Sequence, residues 1–145
     1  IGTEVDFPES IGVIIETPGF LGNLSGITNL KILAGLKGRI TENHIREAMI
    51  KSGLDPDLKK AVSKYSLGMR QRLGIAQAIM ENPDFLILDE PFNGLDKHGV
   101  KDIRNLILDL KAQQKTILLA SHNSEDIRIL CDRVYEMDGG RIQQL

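Results

Sequence analysis

The chain has 145 residues, is 41% hydrophobic and 26% charged, and carries a formal net charge of −2 with a pI near 5.9. That is enough chain for one domain with a real core, and the near-neutral balance supplies no global positive field for nucleic acid or an anionic membrane. The single cysteine, Cys131, excludes an internal disulfide and fits a reducing, cytoplasmic setting, while no apolar run reaches the length of a membrane span.

Ile11 to Ile15 is the first short apolar run and is predicted as a strand of a parallel sheet. From about Asn23 to Asn82 the pattern is helical. Leu30, Leu33 and Ala34 share one face. Thr41 is placed to cap a second helix whose Ile45, Ala48 and Met49 lie together, and Gly53 ends it. Ser66 is a natural N-cap for a third helix carrying Met69, Leu73, Ala76 and Met80 on one side. Free N–H groups at such a start attract anions, and Lys59, Lys60, Lys64, Arg70 and Arg72 lie around it in sequence. Taken alone, the same pattern describes an ordinary helix start.

Phe85 to Leu88 runs straight into Asp89 and Glu90. A run so short and so continuously apolar reads as a buried parallel strand, and its carboxyl end is where α/β sheets place their ligands. Two carboxylates there suit a metal and a water, although alone they are equally compatible with solvated acids. Asp96 is placed to cap a helix bearing Val100, Ile103, Ile107 and Leu110, and Thr116 to Ala120 is the third strand. Cys131, between Ile129, Leu130 and Val134, reads as a small buried hydrophobe. Arg133 to Asp138, Gly139-Gly140 and Arg141 to Gln144 read as a hairpin. The expected class is α/β: a parallel-sheet core from residues 1–22 and 83–145, a helical subdomain inserted at 23–82, and a C-terminal β-hairpin.

The Ser66 segment is followed by Asp89-Glu90, then by Pro91-Phe92-Asn93-Gly94-Leu95-Asp96, then by Ser121-His122. This order resembles the nucleotide-binding domain of ABC transporters over essentially the whole chain. Ile14-Ile15-Glu16-Thr17-Pro18-Gly19 and Tyr65-Ser66-Leu67-Gly68-Met69 are similar to the ATP-binding subunits of bacterial bacitracin, lantibiotic and multidrug exporters. The resemblance implies a P-loop NTPase-like (RecA-like) core, here partial, that hydrolyses ATP with Mg²⁺. The family's signature Leu-Ser-Gly-Gly-Gln falls on Tyr65, Ser66, Leu67, Gly68 and Met69, of which Ser66 and Gly68 match. In the family that segment faces ATP held by the opposite subunit, which implies a head-to-tail homodimer. Asn93, Gly94, Leu95 and Asp96 match the D-loop along the dimer interface.

The resemblance makes Asp89 the Walker B ligand of Mg²⁺, Glu90 the carboxylate that polarises the attacking water, and His122 the switch histidine near the γ-phosphate. Glu16 stands at the Q-loop position, usually glutamine, and adds a second acid beside the metal. His44 and His98 receive no role. No stretch reads Gly-x-x-x-x-Gly-Lys-Ser/Thr, and the nearest glycines, Gly35 and Gly38, are followed by Arg39. In the family this Walker A loop precedes the Glu16 region, so Ile1 is expected to fall partway into the domain. The chain by itself is then expected to bind ATP weakly or not at all and to hydrolyse none, with self-association through uncovered strand edges.

The resemblance further implies an integral-membrane permease partner docked on the helical insertion, and a place on the inner face of the membrane. Cargo is chosen by that permease and is not legible here. A soluble ABC ATPase acting on ribosomes or DNA is expected to show basic linkers or coiled-coil arms, which these residues lack. A non-catalytic binding module is the third reading.

Overall fold

The computed structural model describes residues 10–16 and 19–145. Residues 1–9, with Thr17 and Pro18 of the exporter-like stretch, lie outside the described residues.

Three parallel strands, β1 (Ile11–Ile14), β2 (Phe85–Asp89) and β3 (Thr116–Ala120), form a sheet in the order β1-β2-β3. Ile14 pairs with Leu88, and Asp89 with Ala120. The first strand stops at Ile14 rather than Ile15, because Glu16 takes a left-handed backbone conformation (φ 54°) and turns the chain out of the ladder. The second runs one residue further than expected, to Asp89, which stays paired on the β3 side. Gly12, Leu86 and Ile117 lie across one face. Val13, Ile87 and Leu118 lie across the other, where Val13 and Leu118 are exposed.

The strands β2 and β3 are joined by α4 (Lys97–Ala112), whose N-cap Asp96 accepts from the Gly99 N–H at 2.8 Å. Ile103, Leu106 and Ile107 are its buried stripe. Between β1 and β2 lie α1 (Gly26–Lys37), α2 (Glu42–Lys51), a 3-10 turn (Val62–Lys64) and α3 (Leu67–Ile79). Ser25 caps α1 by accepting from the Thr28 N–H, and Gly38 closes it at φ 63°. Thr41 begins α2, and the His44 ring returns to accept from the Thr41 N–H at 3.1 Å, a capping use for a histidine that needed no other. Gly53 (φ 82°) follows the end of α2 and leaves room for Arg72: a Cβ there would lie 1.9 Å from Arg72 Nη1.

Helix α3 is buried nearly all round, with Leu73, Ile75, Ala76, Ala78 and Ile79 inside, because it lies between α2 and β1. Arg46, on α2, grips Asp57 through two 2.9 Å bonds and holds that carboxyl below its ordinary range. The lowered pKa means this pairing stabilises the fold above the ordinary carboxylate range and is lost as pH falls through the lowered value.

One element goes beyond the sequence expectation. A short helix, α5 (Ser124–Leu130), follows β3, capped by Asn123 Oδ1 accepting from the Glu125 and Asp126 N–H groups. Its Leu130 is buried, Cys131 is only partly so, and burial pushes the Cys131 thiol up. The chain ends in the predicted hairpin, β4 (Tyr135–Asp138) and β5 (Arg141–Gln144), turned by Gly139 and Gly140 with φ of 53° and 76°.

Candidate functional site

Parallel strands end together, so register alone brings candidate residues from three separate parts of the sequence to one sheet rim. Asp89 is the last residue of β2, Glu90 follows it, His122 lies two beyond the end of β3, and Glu16 two beyond the end of β1. Glu90 sits in the left-handed region (φ 47°), a conformation a non-glycine residue keeps only when its surroundings hold it there. Three contacts do so. Its N–H donates to Ala120 O at 2.9 Å, its carbonyl accepts from Gln71 Nε2 at 3.4 Å, and its carboxylate meets His122.

Glu90 Oε1 accepts from the His122 backbone N–H at 3.0 Å and lies 2.5 Å from His122 Nδ1. An ionised carboxylate only accepts, so Nδ1 is the donor in this contact, and the His122 side chain is otherwise largely exposed. Gln71 is a residue that pattern reading missed: it is 1% exposed on α3, and its amide ties that helix to the Glu90 backbone. Its one sequence signal is a polar residue on a side of the helix that is otherwise apolar.

The second cluster forms around the start of α3. Ser66 accepts from the Met69 N–H at 3.1 Å. Beside it a depression of about 350 Å³ is lined by Ser66, Gly68, Met69, Arg72, Gly94, Leu95 and Asp96, so the signature and D-loop positions meet within one chain. Gly94 has φ 74°, and a Cβ there would lie 2.4 Å from Leu67 Cγ; a Cβ on Gly68 would lie 2.8 Å from Gly94 O. Leu67 therefore occupies the space over Gly94. Gly94→Ala is expected to cost about 1–3 kcal/mol from the clash and the left-handed backbone together. Urea melts check it, and Leu67→Ala should relieve part of the loss in a double-mutant cycle.

Two expectations are corrected here. Tyr65 does not reach the depression: it is 6% exposed, its hydroxyl turned under Gly26, and burial pushes its phenol up. Its size and apolar ring make it a core residue. Nor are all the basic residues around Ser66 free for an anion, although Arg72 lines the same depression. Arg72 donates to Ser52 O at 2.8 Å and to Asp102 at 3.1 Å, and Arg70 donates to Ser63 O, so both serve internal acceptors. Lys59, Lys60 and Lys64 remain exposed. Asp96 uses its carboxylate as the α4 cap.

Among the described residues no three His, Cys, Asp or Glu side chains converge closely enough to hold a metal ion. Asp89 is a half-buried hard-oxygen donor and Glu16 an exposed one. One or two carboxylates of this kind fit Mg²⁺ that brings phosphate oxygens and water with it, and do not make an independent protein cage.

The ABC transporter family profile matches residues 2–93, well over half the chain. The chain belongs to the ABC transporter family. It is 44% identical over 140 residues to an uncharacterised ABC transporter ATP-binding protein of Bacillus subtilis (strain 168), YybJ, covering 97% of this chain and 64% of that one. It is 45% identical over 133 residues to the bacitracin transport ATP-binding protein BcrA of Enterococcus faecalis, covering 91% of this chain and 43% of that protein. This ABC chain thus spans about two fifths to two thirds of the length of these relatives. The fold is that of the ATP-binding cassette MJ0796, solved as a dimer in a post-hydrolysis state with ADP and Pi, at a TM-score of 0.82 and 21% identity over 93% of this chain and 62% of that one. The likeness fixes the α/β parallel-sheet architecture expected from the sequence.

Proposed function

We propose that this protein is the ATP-binding and ATP-hydrolysing subunit of an ABC exporter, with ATP plus water giving ADP plus phosphate. The observation that carries the reading is the Glu90 carboxylate at the sheet rim, held by the His122 N–H and Nδ1 at 3.0 and 2.5 Å. A carboxylate so fixed can accept a proton or hydrogen bond from a water lined up on a γ-phosphate, and His122, when its Nε2 is protonated as well as its Nδ1, can donate to the phosphate oxygens. Asp89 would hold Mg²⁺, which supplies charge neutralisation of the phosphates, with Glu16 as a second acid on the neighbouring strand end. The Ser66 helix start, with free N–H groups beside the Gly94 turn, suits the phosphates of ATP bound to another copy, so the working unit is a homodimer with shared sites.

The helical region supports a membrane partner. Ile32 and Leu36 are one turn apart on α1, 46% and 80% exposed, and offer apolar surface on the insertion rather than on the catalytic rim. A permease is the partner proposed there, which puts the protein on the inner face of the membrane, and bacitracin-like peptide antibiotics are the cargo class favoured by the likeness to BcrA.

The 145 residues contain no Gly-x-x-x-x-Gly-Lys-Ser/Thr loop, so the phosphates of the cis nucleotide need a loop from outside them. Equilibrium dialysis with labelled ATP is expected to give at most weak binding to these residues alone, and micromolar binding to a cassette that also carries such a loop. A loop-bearing cassette that still failed to bind would end the ATPase reading.

A further inference from the structure

His122 is exposed, and the residues next to it in sequence do not bury it, yet its position against Glu90 is well defined. What holds it follows from α5. Asn123, directly after His122, caps α5 by accepting from the Glu125 and Asp126 N–H groups, so the placing of His122 depends on the placing of the first turn of α5. That turn is tied to α4 by charge. Arg104 Nε donates to Asp126 Oδ1 at 2.6 Å and Arg104 Nη2 to Glu125 Oε2 at 2.9 Å. The Asp126 side chain is 2% exposed and that of Arg104 18%. A carboxylate so deeply buried is tolerable only with its guanidinium, and a planar fork meeting two acids fixes orientation as well as distance. At the other end of α5, Lys111 on the same α4 donates to Leu130 O at 3.1 Å.

We propose that Arg104 is a positioning residue for His122: by clamping Asp126 and Glu125 it fixes the first turn of α5, and with it the His122 N–H and imidazole on the Glu90 carboxylate. Because α4 begins at Asp96 and carries Arg104 two turns later, the same rigid helix joins the Gly94–Asp96 turn to the histidine. A shift of that turn is passed along α4 to His122 without any contact between the two. The structural part of the proposal stands on geometry alone, and its effect on hydrolysis rests on the function proposed above.

The test has two arms. In the chain as it stands, amide exchange by NMR reads the His122 N–H that donates to Glu90. Arg104→Ala is expected to speed exchange at His122, Asn123, Glu125 and Asp126 by about tenfold or more, with the β2 and α3 amides unchanged. Arg104→Lys keeps the charge but loses the fork, and a rise of about threefold is expected; this variant decides the matter should Arg104→Ala not fold. Lys111→Ala, which loosens only the far end of α5, is expected to leave the His122 amide within about twofold of the wild type. A folded Arg104→Lys chain with unchanged protection at His122 overturns the proposal, as does equal loosening by Lys111→Ala. In a loop-bearing cassette, Arg104→Lys should lower kcat several-fold with KM for ATP held. If the wild-type cassette turns over no ATP, the functional reading fails while the exchange arm still decides the clamp.

Discussion

Replacing Glu90 with glutamine in a cassette able to bind ATP is expected to lower turnover by about 100-fold or more, with ATP binding and folding retained. The substitution separates two jobs of one side chain. As a structural acceptor Glu90 receives the His122 N–H at 3.0 Å, and the amide oxygen of glutamine can accept that bond equally well. Its backbone bonds to Ala120 O and from Gln71 Nε2 do not involve the side chain, so the left-handed turn at the end of β2 stays in place. As a chemical group, the carboxylate alone can take a proton from water, and the amide cannot. Single-turnover and steady-state phosphate release check the result, with filter binding for ATP. Undiminished turnover would remove Glu90 from the chemistry, whereas loss of ATP binding together with turnover would mean that the rim itself had collapsed.

Gly12→Ala is expected to cost about 3 kcal/mol, close to the largest loss available to a single added methyl. Gly12 lies within β1 with an ordinary strand conformation, so the reason is space and not backbone freedom. A Cβ at this position would lie 2.0 Å from Ala78 O, 2.9 Å from Ala78 C and 2.9 Å from Leu86 Cδ2. Two of those three atoms are backbone near the end of α3, which cannot step aside as a side chain can. Helix α3 would have to lift from the sheet, and it carries both the Ser66 start and the Gln71 amide that reaches Glu90. The loss of stability in urea melts is therefore expected to come with faster amide exchange at residues 66–71. A melt within about 0.5 kcal/mol of the wild type would show that the helix is not seated on β1 as described.

Much of the local architecture was legible because it depends on local chemistry. Ser25, Thr41, Ser66 and Asp96 mark helix starts as oxygen-bearing caps do anywhere. The Gly139-Gly140 pair could only be a tight turn between short strands. Helix α5 was also written locally, in Asn123, the acids Glu125 and Asp126, and the Ile127 and Leu130 spacing. Its seven residues carry too short a period to stand out from the sequence.

Tyr65 and Arg72 illustrate what local reading misassigns. Tyr65 opens the signature positions, and Arg72 is one of the basic residues near Ser66 in sequence. The packed structure turns the Tyr65 ring into the core and engages Arg72 with the buried Ser52 carbonyl and the exposed Asp102, because a bulky ring goes where apolar surface is found and a five-donor fork where acceptors are. Gln71 had no visible task until the turn after β2 brought a carbonyl to it.

By itself, then, the order of residues determined the strands, the helix caps, the hairpin and the acidic pair at the end of β2, since each follows from neighbours a few positions apart. Only the tertiary structure decided that the Glu90 carboxylate meets His122, 32 positions later, that Leu67 covers Gly94, and that Arg104 reaches across to Asp126. Those contacts depend on parallel register and on how α3 and α4 seat against the sheet, quantities set by close packing between distant segments and not by any spacing along the chain.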